Sequence, residues 1–245
     1  MNFEMNSAEG KAILAKVRRG DFAHPGEEEA IQLIASGLDR VGISRILDVG
    51  CGRGGTAQWF HKNGWGKVFG IDIDHRSIDY AQTMSPVIEY LVKDVNELDQ
   101  WNIDPFDFVY LLNSFYSFSD QKLALKKIRH ICRHGASLRI FDYTRRRDAI
   151  VPGVLGTDIG NPIVIEVMPT WLSEAGWKME GYQDFTTKYI EWYNNLLAAF
   201  QRDQQWIDNN FGEDWRRYVN NWYGSLRDSL EAQVIRGVLF SATAS

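Results

Sequence analysis

The sequence predicts a doubly wound α/β protein with a mostly parallel sheet of seven strands and a helical segment inserted between the last two. Three observations predict it. Short runs that are apolar on both faces recur along residues 46–141, connectors of helix length separate them, and a glycine-rich turn follows the first run. Strands covered on both faces lose the polar alternation of a half-exposed sheet, and parallel neighbours need a helical crossover between them.

The elements follow in order. In residues 7–19, Ala8, Ala12, Ile13, Ala15 and Val17 fall at roughly helical spacing, with Lys16, Arg18 and Arg19 in the last turn and Gly20 as the stop. After a turn at 21–26 (DFAHPG), Glu27, Glu28 and Glu29 open a second helix, where its dipole favours acids, and this helix ends at Gly37. The first five strands are read at 46–49 (ILDV), 68–73 (VFGIDI), 88–92 (IEYLV), 108–112 (FVYLL) and 138–141 (LRIF), with helices at 56–63, 77–84 and 121–133 between them. Beyond Thr144 comes a basic run, Arg145 to Arg147, and a Gly/Pro-punctuated loop at 151–162. A helix at 168–175 stops at Gly176, and residues 177–186 and 234–242 supply the sixth and seventh strands. The segment between these two, 187–232, is too long for a hairpin connection and reads as a helical insertion. Thirteen of the 32 aromatic residues lie from Trp177 to Tyr223, more than a small helical pair needs to pack.

Composition bounds the function classes. A chain of 245 residues with 44% hydrophobic and 24% charged residues is an ordinary folded protein, most simply one domain. A net charge of -5 gives a polyanion no general reason to bind, so neither nucleic acid nor an anionic membrane is an expected partner. Cys51 and Cys132 form no disulfide framework or metal spacing, the chain opens on MNFEMNSAEGK without a basic-then-apolar leader, and no run approaches a membrane span. The expected setting is a cytoplasm, the expected state a monomer or homodimer, and no metal is expected.

The strongest local signal is ILDVGCGRGGT at 46–56, a strand running through a glycine turn into a helix. Glycines there let a ligand approach backbone N–H groups that side chains would shield. Read as Gly50-x-Gly52-x-x-Gly55, the turn also satisfies the dinucleotide fingerprint, with Asp72 placed to hold a ribose. Two acids weigh against a dinucleotide. Asp48 precedes the glycines, where it would repel a pyrophosphate and favour an ammonium group, and Asp94 ends the third strand, where it can accept from an adenine amino group.

These residues resemble the class I S-adenosylmethionine-dependent methyltransferases, a Rossmann-like family. The matching segments are LDVGCGRG (47–54), GIDI (70–73), KDV (93–95), FDFV (106–109) with Asn113-Ser114, and HGASLRI (134–140), in the family's order. The resemblance implies that Gly50, Cys51 and Gly52 back the methionine part of S-adenosylmethionine, with Asp48 also among the cofactor-binding residues. It also implies that Asp72 binds both ribose hydroxyls, Ile73 packs on adenine, Asp94 with Val95 meets the adenine edge, and Asn113 faces the methionine ammonium and the sulfonium methyl. It divides the single domain into N-terminal helices (1–37) closing over the cofactor, a cofactor-binding core (38–143) and a substrate lid (187–232). A family proline is missing before Gly135, where His134 stands. A narrower resemblance is to N-methyltransferases of the phosphoethanolamine and sarcosine/dimethylglycine kind, carried by FDYT (141–144) and by FAHPG (22–26) in place of their N-terminal glycine turn.

Methyl transfer is an in-line displacement, so the protein must align a nucleophile and exclude water. His24, Tyr116 and Asp142 are the candidate catalytic residues, and Tyr143, Trp192 and Tyr193 the candidate substrate residues. The stripe Tyr189, Trp192, Tyr193, Leu196, Leu197 and Phe200 suits packing on the sheet first; the functional reading is that Trp192, Tyr193, Trp222 or Tyr223 form an aromatic cage for an amine. The Arg145–Arg147 run reads as a solvated loop, or as a clamp for an anionic substrate group. The expected function is transfer of a methyl group to a small-molecule acceptor, an amine nitrogen. The alternatives are an NAD-dependent dehydrogenase and a non-catalytic cofactor-binding or interaction protein of the same fold.

Overall fold

The computed structural model describes residues 3–149 and 159–245. Five strands run parallel, β1 (Arg45–Val49), β2 (Lys67–Asp72), β3 (Glu89–Val92), β4 (Phe106–Leu112) and β5 (Cys132–Arg145). Their connectors include α3 (Gly55–Lys62), α4 (His75–Met84) and α5 (Gln121–His130). All seven residues of β4 are buried, as a strand at the centre of a doubly covered sheet requires. The sheet order is β3-β2-β1-β4-β5-β8-β7, where β7 (Trp177–Asp184) and β8 (Arg236–Ala244) are the two late strands. β8 enters antiparallel between β5 and β7, so the edge strand β7 again runs in the direction of β5.

The structure adds a strand that the sequence reading omitted. β6 (Ile163–Val164) pairs with Thr144 and Arg145 at the end of β5. Two residues are too few to carry a periodic pattern, so only the pairing reveals it. It leads to α6 (Met168–Glu174), after which Gly176 takes a left-handed φ of 84°. Most of the expected 151–162 loop, residues 151–158, lies outside the described residues.

At the N-terminus α1 (Ala8–Val17) is capped by the Ser7 hydroxyl, which accepts from Gly10 N at 3.1 Å. α2 (Glu27–Ala35) begins at its three glutamates and ends just before Gly37, at φ 75°. Between β7 and β8 lie α7 (Thr186–Arg202), α8 (Gln204–Phe211) and α9 (Glu213–Glu231). The α9 residues Trp215, Val219, Trp222, Tyr223, Leu226 and Leu230 are buried at helical spacing. Tyr189, Trp192, Tyr193 and Phe200 of α7 do the same from the other side, in one core with Ile46, Phe60, Phe108 and Tyr110 from the sheet and its neighbours. Each such aromatic, once buried, contributes about 2 kcal/mol of transfer free energy, so the stripe holds the insertion to the sheet. The opposite face is closed by Ile128, Leu172 and Trp177 against Leu47, Val49 and Val109. No helix among the described residues is long and apolar enough to cross a membrane.

One contact between the insertion and the sheet has no slack. A Cβ added at Gly237 of β8 would lie 2.3 Å from Cδ2 of the fully buried Tyr189 ring. Gly237→Ala is therefore expected to destabilise the fold by about 1–3 kcal/mol through overpacking. The measurement is urea unfolding, with a lower midpoint at an unchanged slope.

Candidate functional site

The carboxyl ends of β1, β2, β3 and β4 converge on one edge of the sheet, where a doubly wound fold places its ligands. At the end of β1 the N–H groups of Gly50 and Cys51 both donate to the Ile71 carbonyl, at 2.8 and 3.0 Å, which folds the glycine turn back across β2. Gly50 and Gly52 hold left-handed φ values of 78° and 51°, and a Cβ at Gly52 would meet no atom within 4 Å, projecting into open space. The turn is pinned from the side as well. Gly52 N donates to Asp72 Oδ2 at 2.9 Å, and Asp74 N donates to the other Asp72 oxygen at 2.9 Å.

This edge borders a cavity of about 760 Å³. Of the sequence-predicted cofactor residues, Gly50, Gly52, Asp72, Ile73, Asp94, Val95 and Asn113 line it. Ile73 is 74% exposed, an apolar side chain held out to the cavity. Asp94 caps the 3₁₀ turn Val95–Gln100 by accepting from Asn96 N at 2.8 Å. Asn113 sits at φ 51°, an uncommon conformation for a side-chain-bearing residue, and its N–H is fixed to the Phe141 carbonyl at 2.8 Å.

Two predicted cofactor residues lie behind the wall. Cys51 is buried, and burial first, then Asp48 and Asp72, push its thiol well above the ordinary range, so it fills space beneath the turn. Asp48 is also buried; its Oδ2 has no hydrogen-bond partner, and the nearby Tyr110 hydroxyl is likewise unpartnered. Burial pushes the Asp48 carboxyl up to about 8, Tyr110 opposing the shift and Asp72 adding to it. In the free protein it is thus a neutral acid near pH 7, where the sequence reading took it as an anion.

The catalytic and substrate candidates divide sharply. Tyr116 lines the cavity. His24 does not reach it: its Nε2 pairs with Thr56 Oγ1 at 2.9 Å and its Nδ1 with the Pro25 carbonyl at 3.1 Å. Burial and then Arg18 lower it to about 3, against the Pro25 hydrogen bond, so it stays a neutral, structural imidazole. Asp142 is fully buried, and its carboxyl accepts from Phe115 N at 2.7 Å, Tyr116 N at 3.2 Å and Tyr143 N at 2.7 Å. Those contacts fasten the loop after β4; they leave Asp142 off the cavity wall. Tyr143 and Tyr193 spend their hydroxyls on each other, and Trp192 Nε1 donates to Glu29 Oε2 at 2.7 Å. With Trp222 and Tyr223 also in the core, the expected aromatic cage is not at the cavity: tertiary packing takes the stripe. Arg145 donates to the carbonyls of Arg146 and Arg147, and Arg146 pairs with Asp148, which is the solvated-loop reading.

The sequence reading took 1–37 as helices closing over the cofactor but named none of the residues there that line the cavity. Asn6, Ser7, Ala8 and Lys11 at the start of α1 line the cavity with Ala23 of the following turn. Lys11 Nζ reaches Asp74 Oδ2 at 2.6 Å and Ser77 Oγ at 2.7 Å. Against the effect of burial, these two partners hold the Asp74 carboxyl down at about 2. Arg53 of the glycine turn lies over the Tyr80 ring at 4.5 Å, and the Tyr80 hydroxyl donates to Asp21 Oδ2 at 3.2 Å. The sequence reading gave neither Lys11 nor Arg53 a role of its own; the three-dimensional contacts mark them.

Residues 47–140 match the family model described as a methyltransferase domain. The matched stretch, less than half of the chain, is similar to a methyltransferase domain. Among curated proteins the chain is similar to phosphoethanolamine N-methyltransferase 3 of Arabidopsis thaliana, 22% identical over 216 residues, which cover 84% of this chain and 43% of that protein. The chain thus spans less than half the length of that relative. Among solved structures, a Haemonchus contortus phosphoethanolamine N-methyltransferase 2, in complex with phosphomonomethylethanolamine and S-adenosylhomocysteine, superposes with a TM-score of 0.85 at 17% identity. That match covers 97% of this chain and 57% of the other. A sarcosine dimethylglycine methyltransferase structure from Galdieria sulphuraria gives 0.79 at 13% identity, over 89% of this chain and 85% of the other. At such identities the structures establish the class I methyltransferase fold for this domain and nothing finer.

The cavity fits an S-adenosyl ligand on its own features. The glycine turn leaves space that a Cβ would fill, Asn113 Nδ2 and Asn96 Oδ1 are buried polar atoms without partners in cavity-lining residues, and two strand-end carboxylates face the same space.

Two outcomes are expected from the buried acids. Asp142→Ala leaves up to three backbone N–H groups unsatisfied and should lower the melting temperature of the ligand-free domain by about 5–10 °C. For Asp48 the unfolded carboxyl ionises near its ordinary value, while the native one keeps its proton up to about pH 8. Its stability contribution is therefore fully present below the unfolded value and is lost as pH rises towards 8. Melting scans from pH 5 to 8 should show a falling melting temperature, with a shallower fall in Asp48→Asn.

Proposed function

We propose that the protein is an S-adenosylmethionine-dependent methyltransferase that methylates a small molecule at an amine nitrogen. The observation that carries this reading is the convergence of the Gly50–Gly52 turn, Asp72, Asp94 and Asn113 on one cavity at the carboxyl ends of four parallel strands. The bound cofactor supplies a methyl group already activated on a sulfonium. Everything else falls to the protein's own residues. Asp72, with lone pairs left after its two backbone hydrogen bonds, accepts from ribose hydroxyls, Ile73 offers an apolar surface to adenine, and the Asp94 carboxylate accepts from an amino group. The α1 roof and Ala23 exclude water, and the Lys11 bridge to Asp74 and Ser77 keeps that roof in place.

Tyr116 is the one catalytic candidate on the cavity wall, with its ring 5.5 Å from that of Tyr143, and it positions the acceptor there. His24 and Asp142 serve the fold and have no part in the reading. The amine acceptor rests on the resemblance of layout to relatives named as phosphoethanolamine N-methyltransferases. The dehydrogenase alternative has no support from the family match.

The test is thermal unfolding with S-adenosylmethionine, S-adenosylhomocysteine and NAD. A ligand at about 100 times its Kd adds roughly 2.7 kcal/mol to native stability. The expected result is a rise with both adenosyl compounds, none with NAD, and loss of the rise in Asp72→Ala, followed by methyl uptake by small amines. A shift with NAD alone, or with none of the three in folded protein, overturns the reading.

A further inference from the structure

One residue of the insertion touches the cavity wall by hydrogen bonding. Tyr189 is fully buried, wedged between the Phe141 ring at 5.2 Å, the Tyr143 ring at 5.6 Å and the Trp192 ring at 5.5 Å, and its hydroxyl donates to Asn113 Oδ1 at 3.1 Å. Burial raises its hydroxyl well above the ordinary range, with Asp142 and Tyr193 adding to the shift, so it remains a donor at any working pH. Asn113 is fixed at three points: its N–H to Phe141 O, its left-handed backbone, and its carboxamide oxygen to Tyr189. With Oδ1 taken, the polar group that Asn113 has left is Nδ2, which is buried and has no partner in the free protein. A buried N–H donor without a partner costs about 1–3 kcal/mol, which a ligand supplying an acceptor would recover.

We propose that Tyr189 is a positioning residue for the cofactor cavity: by holding Asn113 Oδ1, it presents Nδ2 as a hydrogen-bond donor to a carboxylate or other acceptor oxygen of the ligand. This inference rests on the methyltransferase reading and revises one part of its expectation. An amide N–H beside an ammonium group sets donor against donor, so Asn113 recognises the acidic end of an amino-acid tail. It also makes cofactor affinity depend on a helix that belongs to the insertion.

The experiment is calorimetric titration of S-adenosylhomocysteine into the wild type, Tyr189→Phe, Asn113→Ala, the double variant and Asn113→Asp, with an unfolding scan of each without ligand. Tyr189→Phe keeps the ring and loses only the hydroxyl. It should weaken binding about 3- to 10-fold, the scale of one hydrogen bond. The same substitution in the Asn113→Ala background should add no further loss, because the effect passes through Asn113. Asn113→Asp can still accept from Tyr189 but has no donor, and should bind worse than the wild type. Unchanged binding in Tyr189→Phe, an equal loss in both backgrounds, or binding by Asn113→Asp as tight as the wild type would each overturn the proposal. A wild type that binds no S-adenosylhomocysteine at all overturns the methyltransferase reading, and the positioning role with it.

Discussion

The Asp142 carboxyl is the interaction on which the rest of the site depends. At the end of β5 it gathers the N–H groups of Phe115, Tyr116 and Tyr143, so one buried side chain fixes the loop after β4 against the strand beside it. That loop carries Asn113 to Ser117 along the cavity, while Tyr143 on the other side reaches the insertion through the Tyr193 hydroxyl. Burial pushes this acid up to about 7 and the backbone donors pull it back. The opposition is what a structural carboxyl at a parallel strand end has to balance: no neighbouring ladder satisfies the turning backbone there, and a side chain must do so.

Stability is spent around the cavity in a consistent way. Asn113 stands in a left-handed conformation, its Nδ2 lacks a partner, and Asp48 is buried with one oxygen unpaired. Each is unfavourable by itself, and each lies in or directly behind the wall where a polar ligand is expected. Beneath the cavity the packing is dense: β4 is wholly buried, and the aromatic stripes of α7 and α9 interlock over it. A rigid core thus supports a rim whose hydrogen bonds the protein alone leaves incomplete.

The glycine turn, the strand-end acids Asp72 and Asp94, and the late helical insertion were legible in the sequence because each is written in consecutive residues or in a regular spacing. What escaped was set by partners distant in the chain. Lys11 acquires a role only by meeting Asp74, sixty-three residues on, and β6 exists only through its pairing with the end of β5. His24 and Asp142 had the right chemistry for proton transfer, but Thr56 and three backbone N–H groups had already taken their polar atoms. The aromatic stripe was correctly periodic; periodicity alone cannot tell a cage from a packed face, and here the cavity lies elsewhere.

The placement of β8 has an architectural consequence. The chain leaves the sheet at Asp184, which pairs with Val238 in the β7–β8 ladder, and re-enters at Arg236, and an ion pair between Asp184 and Arg236 at 3.6 Å joins the two ends. Everything between them is a loop anchored at both feet. Closing such a loop costs only about 0.6 kcal/mol more for each doubling of its length. The fold can therefore exchange this helical cassette for one of different length or lining while the strands beneath keep their register. Contacts such as Trp192 with Glu29 are the terms a replacement must match.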